Sequence, residues 1–307
     1  MRKMRYPTRY VEEISIEFLE ECAGSDQPFF AQFPFPDPHH PLTPPCRYWD
    51  MYDPADVELP SSFGKGDIEP LKYLWQARDA GEAVRDSATV PFAVSEEEAR
   101  VLIALTYGMI TLVDDAVGRI MASLNRLGIA DDTVVMFTAD HGDFMGDHGI
   151  MLKYLLHYQG LIRVPFICRV PGQDAKVPSE LAQTTDIGAT ILGFAGLQPL
   201  NGMQGRDLSD SEVEAPGDIL IEEDSTIRMF GDDPGDRVRT LVTDRWRLSC
   251  HQAAGWWELY DLVNDRDELE NLWVQDVVGD VADELVQRMV MRMIDLQDRS
   301  PLPTGRA

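Results

Sequence analysis

VVMFTADHGDFMGDHG, residues 134–149, decides how the rest of the chain is read. Val134 to Thr138 is a short apolar run rich in β-formers, as expected for a buried strand. It breaks into Asp140, His141, Gly142, Asp143, Gly146, Asp147, His148 and Gly149. A strand ending in a glycine-punctuated cluster of Asp and His suits a site at the carboxyl edge of a parallel sheet. Adjacent Asp and His can offer a hard oxygen and an imidazole nitrogen to one cation. The glycines let the backbone turn sharply enough to aim both at one point. A solvated polar turn fits an Asp-Gly-rich loop equally well, so residue chemistry alone leaves both open. The spacing fits neither an EF-hand nor a HExxH zinc site.

Outward from this stretch, the chain reads as α/β. Ser95-Glu96-Glu97-Glu98 is a capping box. Leu102, Leu105, Met109, Leu112, Ala116, Ile120, Leu124 and Leu127 continue a helical stripe to Gly128, a helix about 50 Å long at 1.5 Å rise per residue. Asp114 and Asp115 on it read as solvated. Helix 95–127 returning to strand 133–138 is the signature of an α/β sheet. Residues 8–22 place Val11, Ile14, Phe18 and Cys22 on one face of an amphipathic helix. PFFAQFPF, residues 28–35, reads as an apolar strand running into PDPHHPLTPP, a proline-rich loop that excludes helix. His39 and His40 sit there, and alone they read as loop histidines. Residues 46–92 form a long irregular excursion of the kind that carries substrate loops. Arg163 leads into the strand VPFIC, and Thr185 to Ala195 is a short helix stopped by Gly196. His157 reads as a helix-surface residue. After the acidic stretch 209–217, four short strands (219–223, 238–243, 246–250 and 257–260) and a helix over 280–298 form a second unit.

Composition narrows the function. A hydrophobic fraction of 44% fits a soluble globular protein. The formal net charge of -26 argues against nucleic acid and anionic membrane as partners. No stretch reads as long and apolar enough to span a bilayer. The start, MRKMRYPTRYVEEI, has no apolar core behind its basic residues, so no signal peptide is read and the cytoplasm is favoured. The four cysteines, Cys22, Cys46, Cys168 and Cys250, are scattered and read as reduced thiols.

TADHGDFMGDHG followed by Lys153 resembles the second metal-binding motif of the sulfatases, in the alkaline phosphatase superfamily. Other segments resemble the family too: PFF…FPDPHHP, RVPFI…PG, the helix 185–195, GMQGRDL, and RTLVTDRWRL followed by WELYDLVNDRDELENL. The resemblance implies an alkaline-phosphatase-like, mixed and mostly parallel sheet flanked by helices over 1–212. It implies a small antiparallel subdomain over 213–307. It makes Asp140 and His141 ligands of a divalent metal, calcium first, with manganese or magnesium as alternatives. It makes His39 and Lys153 catalytic and substrate-binding donors to a small anionic ester. A homo-oligomer stays open.

Hydrolysis of a sulfate ester needs stabilised charge on the non-bridging oxygens, an in-line nucleophile and an acid for the leaving oxygen. Sulfatases take the nucleophile from a CxPxR or SxPxR motif, converted to formylglycine. Cys22, Cys46, Cys168 and Cys250 are followed by AGSD, RYWD, RVPG and HQAA, so none starts that motif, and no serine does. The chain therefore reads as the carboxyl-terminal part of a sulfatase, catalytically incomplete as given. A phosphonate monoester hydrolase or phosphodiesterase of the same superfamily is the alternative, and a non-catalytic scaffold a third.

Overall fold

The computed structural model describes residues 6–81, 91–225, 236–275 and 279–296. The expectations for 82–90 and for the end of the last helix at 297–298 lie outside the described residues. In chain order the elements are α1 (Pro7–Ala23), α2 (Glu69–Asp79), β1 (Phe92–Ala93), α3 (Glu96–Leu127), β2 (Val135–Thr138), β3 (Ile150–Met151), the single turn α4 (Gln159–Ile162), β4 (Phe166–Arg169), α5 (Asp186–Phe194), β5 (Ile219–Asp224), β6 (Arg237–Val242), β7 (Trp246–His251), β8 (Trp256–Asp261) and α6 (Gly279–Asp295). They form two compact units. The first is Met1–Phe63, Phe92–Met151 and Arg163–Ala175; the second is Gly64–Pro91, Leu152–Ile162 and Lys176–Ala307. The units interleave along the chain.

In the first unit α3 starts as the sequence dictates. Ser95 Oγ accepts the Glu98 N–H at 3.2 Å, and Glu98 Oε2 accepts the Ser95 N–H at 2.8 Å. Gly128 ends the helix in the left-handed region at φ 73°, where glycine carries no Cβ penalty. Ile103, Met109, Leu112, Ala116, Ile120 and Leu124 are buried along it. By length and composition α3 is long and apolar enough to cross a membrane. This corrects the expectation that no stretch is. Its buried face packs on α1 and on the turns at Cys46–Tyr48 and Pro54–Asp56.

The packing face of α1 differs from the sequence expectation. Thr8, Glu12, Ser15 and Leu19 are buried, and Ile14 is 41% exposed. Only part of the expected stripe faces inward: Phe18 packs on the core cluster, and buried Glu12 accepts Arg119 Nη2–H of α3 at 2.8 Å across the helix contact. Asp114 is exposed as expected, whereas Asp115 is half-buried, accepting the Tyr48 hydroxyl at 2.6 Å and pairing with Arg47.

Residues 28–35 show the period-2 burial of a strand, but they pair with no strand among the described residues. Phe29, Phe33 and Phe35 instead pack on a cluster formed by Leu19, Ile120, Leu124 and Ala130. Phe18 meets Phe29 and Phe33 edge-on at 5.9 and 6.1 Å. Strand pairing corrects a second expectation. β2 pairs with β4 antiparallel, Thr138 opposite Phe166, and every pairing among the described residues is antiparallel. The chain leaves β2 and enters β4 at the same end, which excludes a parallel crossover between them.

Gly108 lets α3 approach the turn before it. A Cβ there would stand 2.1 Å from the Tyr48 carbonyl oxygen, a backbone atom that cannot swing away. Gly108→Ala is therefore expected to destabilise by about 1–3 kcal/mol despite alanine's helix propensity. A urea midpoint equal to or above the parent's would contradict this packing.

In the second unit β5, β6, β7 and β8 form one antiparallel sheet in sequence order. Thr243 Oγ1 accepts the Arg245 and Trp246 N–H groups, closing the expected Asp244-Arg245 turn. One face of the sheet presents Leu241, Leu248 and Leu259 to Leu285 and Met289 of α6. The opposite face carries Thr240, Ser249, Arg247, His251 and Glu258, all buried. Within the expected irregular excursion of 46–92, α2 is an 11-residue helix with Leu71 and Leu74 buried.

Candidate active site

The loop after β2 is fixed at several points. Ser62 Oγ donates to Asp147 Oδ1 at 3.0 Å, and the His148 N–H donates to Ser62 Oγ at 3.3 Å. Asp143 Oδ1 accepts the Met145 N–H at 3.0 Å. Phe144 is buried, and Gly146 turns the chain at φ +95° beside Pro60, where any side chain is strained. The loop returns through β3, which pairs with β1. Of the Asp/His cluster, Asp143, Asp147 and His148 thus build the loop.

Asp140 and His141 are brought together. Asp140 Oδ1 accepts the His141 N–H at 3.0 Å, and His141 Nδ1 lies 2.7 Å from the Gly142 carbonyl oxygen. A carbonyl only accepts, so the ring proton sits on Nδ1 and Nε2 presents a lone pair. That Nε2 stands 3.5 Å from Asp140 Oδ2, and the Asp140 side chain is 87% exposed. Two electron-pair donors facing each other at this separation fit one edge of a cation's shell. A calcium shell takes 6–8 ligands. Among the described residues no group of three or more His, Cys, Asp or Glu side chains could hold a metal.

His39 lies in the Pro-rich loop of the same unit. Its N–H donates to the Pro36 carbonyl at 3.0 Å, its ring stacks on His40 at 4.1 Å, and its Nδ1 lies 2.7 Å from the His40 carbonyl oxygen. By the same argument its Nε2 carries the lone pair. Lys153 belongs to the second unit, in a turn where Leu152, Tyr154 and Leu155 have φ of 72°, 127° and 52°.

His157 is a correction. It is not on a helix surface but is 3% exposed, with Nδ1 2.8 Å from Thr240 Oγ1 and Nε2 3.0 Å from Glu223 Oε2. Burial pushes its pKa down, against the opposing pull of Glu223, so the ring is neutral. All four cysteines are free thiols.

The Sulfatase family profile matches residues 3–197, well over half of the chain. The chain belongs to the sulfatase family. A second profile, N-sulphoglucosamine sulphohydrolase, C-terminal, matches residues 146–295 of this sulfatase-family chain. An arylsulfatase of Clostridium perfringens is 32% identical over 280 residues, 87% of this chain and 53% of that protein. The multifunctional alkaline phosphatase superfamily protein PehA of Trinickia caryophylli is 26% identical over 311 residues, 95% of this chain and 60% of that one. The phosphonate monoester hydrolase SpPMH from Silicibacter pomeroyi has a TM-score of 0.79 at 24% identity, covering 96% of this chain and 62% of that structure. The fold is therefore alkaline-phosphatase-like. This sulfatase-family chain spans about half the length of the curated relatives it matches. Sulfatases as a family use a divalent metal and act on anionic sulfate esters.

Proposed function

We propose that this protein acts in the hydrolysis of sulfate esters. Asp140 and His141 hold a divalent cation, calcium before manganese or magnesium, and His39 and Lys153 contact the ester. The observation that carries the reading is the pair Asp140 Oδ2 and His141 Nε2, set on a fixed loop directly after β2 in a chain of the sulfatase family. The cation would neutralise charge on the non-bridging oxygens. The Lys153 ammonium supplies a further positive donor to those oxygens. His39, with its proton on Nδ1, accepts at Nε2 and in its protonated form donates there to a leaving oxygen. No cysteine or serine of these 307 residues starts the nucleophile motif.

A phosphonate or phosphate diester is the second reading, favoured by the 0.79 TM-score to a phosphonate monoester hydrolase. The two separate in one assay. An aryl sulfate, an aryl phosphonate monoester and an aryl phosphate diester are offered to the 307-residue chain and to the product of the full reading frame that contains it. Turnover of the sulfate by the longer product, and of nothing by the 307-residue chain, is expected. Preference for either phosphorus ester overturns the first reading, and turnover of none by either protein points to the scaffold.

Cation binding gives a separate prediction. With two donors, calcium is expected to bind the 307-residue chain with a Kd on the order of 10⁻³ M. Asp140→Ala should abolish the calorimetric signal. Micromolar binding, or binding indifferent to Asp140→Ala, would place the metal elsewhere.

A further inference from the structure

Leu152, Tyr154 and Leu155 flank Lys153 with positive φ, a region that non-glycine residues occupy only when their surroundings impose it. Nothing in the local sequence LKYLLHYQ favours such a turn. The conformation of the Lys153 turn is therefore set from outside it, and the second unit shows by what.

Every second residue from Leu155 to Gln159 is tied either to the polar face of the four-stranded sheet, through Glu223 and Thr240, or to Glu268 beyond β8. The Leu155 N–H donates to Glu223 Oε2 at 3.3 Å. His157 bridges Glu223 and Thr240. The Gln159 N–H donates to Glu268 Oε2 at 2.7 Å. Between them Tyr158 is buried edge-on to Tyr260 at 6.1 Å, and the Arg247 guanidinium lies over both rings at 5.0 and 4.6 Å.

The donors along this network run one way. Arg247 has only donors, so Nη1–H donates to Ser249 Oγ at 2.8 Å. The Ser249 hydroxyl is then free to donate to Thr240 Oγ1 at 2.7 Å. The Thr240 hydroxyl donates to His157 Nδ1, and His157 Nε2–H donates to Glu223 Oε2. Each hydroxyl gives one proton and takes one, which requires the neutral Nε2–H tautomer of His157. Arg247 also pairs with Glu268 and, at 3.1 Å, with Glu258. Both carboxylate anchors of the turn are thus reached from one buried guanidinium.

We infer that Glu223 and Glu268 are positioning residues for Lys153, holding its turn in shape through the ordered network Arg247–Ser249–Thr240–His157–Glu223. The inference rests on the reading of Lys153 as an ester-contacting residue. Neither carboxylate touches the substrate; each acts through the backbone of 155–159. Glu223 is the better place to test this, because its side chain is 27% exposed and its loss leaves no sealed cavity.

Glu223→Ala removes the acceptor shared by Leu155 and His157. Glu223→Gln keeps it, since one amide oxygen in the place of Oε2 can accept both protons. Amide hydrogen exchange followed by peptide mass spectrometry reads the result on the full chain. Glu223→Ala is expected to speed exchange over 153–159 by about tenfold or more while β6, β7 and β8 keep their protection. Glu223→Gln should stay close to the parent. In the sulfate ester assay of the product of the full reading frame, Glu223→Ala should lower kcat about tenfold with KM little changed, because a displaced donor costs rate. Unchanged exchange over 153–159, a uniform rise across the sheet, or failure of Glu223→Gln to restore protection overturns the inference. So does a local loosening that leaves kcat intact in an active parent. If the product of the full reading frame turns over no ester, the sulfatase reading falls, and the exchange data on the 307-residue chain still decide whether Glu223 holds the turn.

Discussion

Replacing Arg247 with alanine is expected to remove about 3–5 kcal/mol of stability, enough to unfold the second unit of an ordinary protein or bring it to the edge. Arg247 is fully buried and faces Glu258 and Glu268, themselves buried. The loss is not the value of two ion pairs, since carrying such charges out of water consumes most of their attraction. It is the cost of leaving two carboxylates among Tyr158, Tyr260 and the sheet with no countercharge. The pH dependence identifies this cause. In the parent, burial pushes Glu258 up, but Arg247 and His251 outweigh it and hold it at about 2, below its ordinary 4.5. Its stabilisation is present above 4.5 and is lost as pH falls through about 2. Burial pushes Glu268 up despite Arg247, so its contribution has the opposite sign and weakens as pH rises. Without Arg247 both carboxylates favour the protonated form in the folded state. The variant should therefore gain more stability than the parent from about pH 7 to about pH 5. Urea unfolding followed through the sheet tryptophans at both pH values measures this. A variant within about 1 kcal/mol of the parent, or one that weakens on acidification, would show that the network does not depend on Arg247.

Why this network is not legible in the sequence follows from β7. Trp246 to His251 alternates, with Leu248 on one face and Arg247, Ser249 and His251 on the other. Alternation of that kind reads as one buried and one solvated face. Here both are buried, because residues 155–159 and Glu268 cover the polar face. His157 escapes a local reading for the same reason: its partners Glu223 and Thr240 lie 66 and 83 residues away in sequence. Local signals fare better. The Ser95 capping box, the Gly128 stop, β2 and all four strands of the second unit lie where pattern and punctuation put them. The face of α1 does not, because Glu12 is buried against Arg119 of α3, a partner 107 residues away in sequence. For 28–35 the alternation is real but the partner is aromatic side chains, not a strand. Spacing alone does not set adjacent Asp140 and His141 apart from the other acids and histidine of the loop. Coordinates are needed to assign Asp143, Asp147 and His148 to building the turn.

Lys153→Ala in the product of the full reading frame is expected to lower kcat/KM for an aryl sulfate about 10²–10³-fold, the scale of losing one preorganised donor to developing charge. The chain carries a formal net charge of -26, so a sulfate ester approaches against the global field and needs local positive groups. The cation held by Asp140 and His141 is one such group in the proposed site, and Lys153 is another. The loss should fall mainly on kcat, because charge on the leaving and non-bridging oxygens grows towards the transition state. Inhibition by inorganic sulfate, which resembles the ground state, should weaken less. Lys153→Arg is not expected to restore the rate. The guanidinium is a planar fork, and the turn that holds residue 153 is fixed by Glu223 and Glu268 for a single compact ammonium. This separates Lys153 from the residues behind it: Glu223→Ala should be repaired by glutamine, whereas nothing but lysine serves at 153. A Lys153→Arg variant as active as the parent, or a Lys153→Ala variant within about threefold of it, would mean that this ammonium does not face the ester.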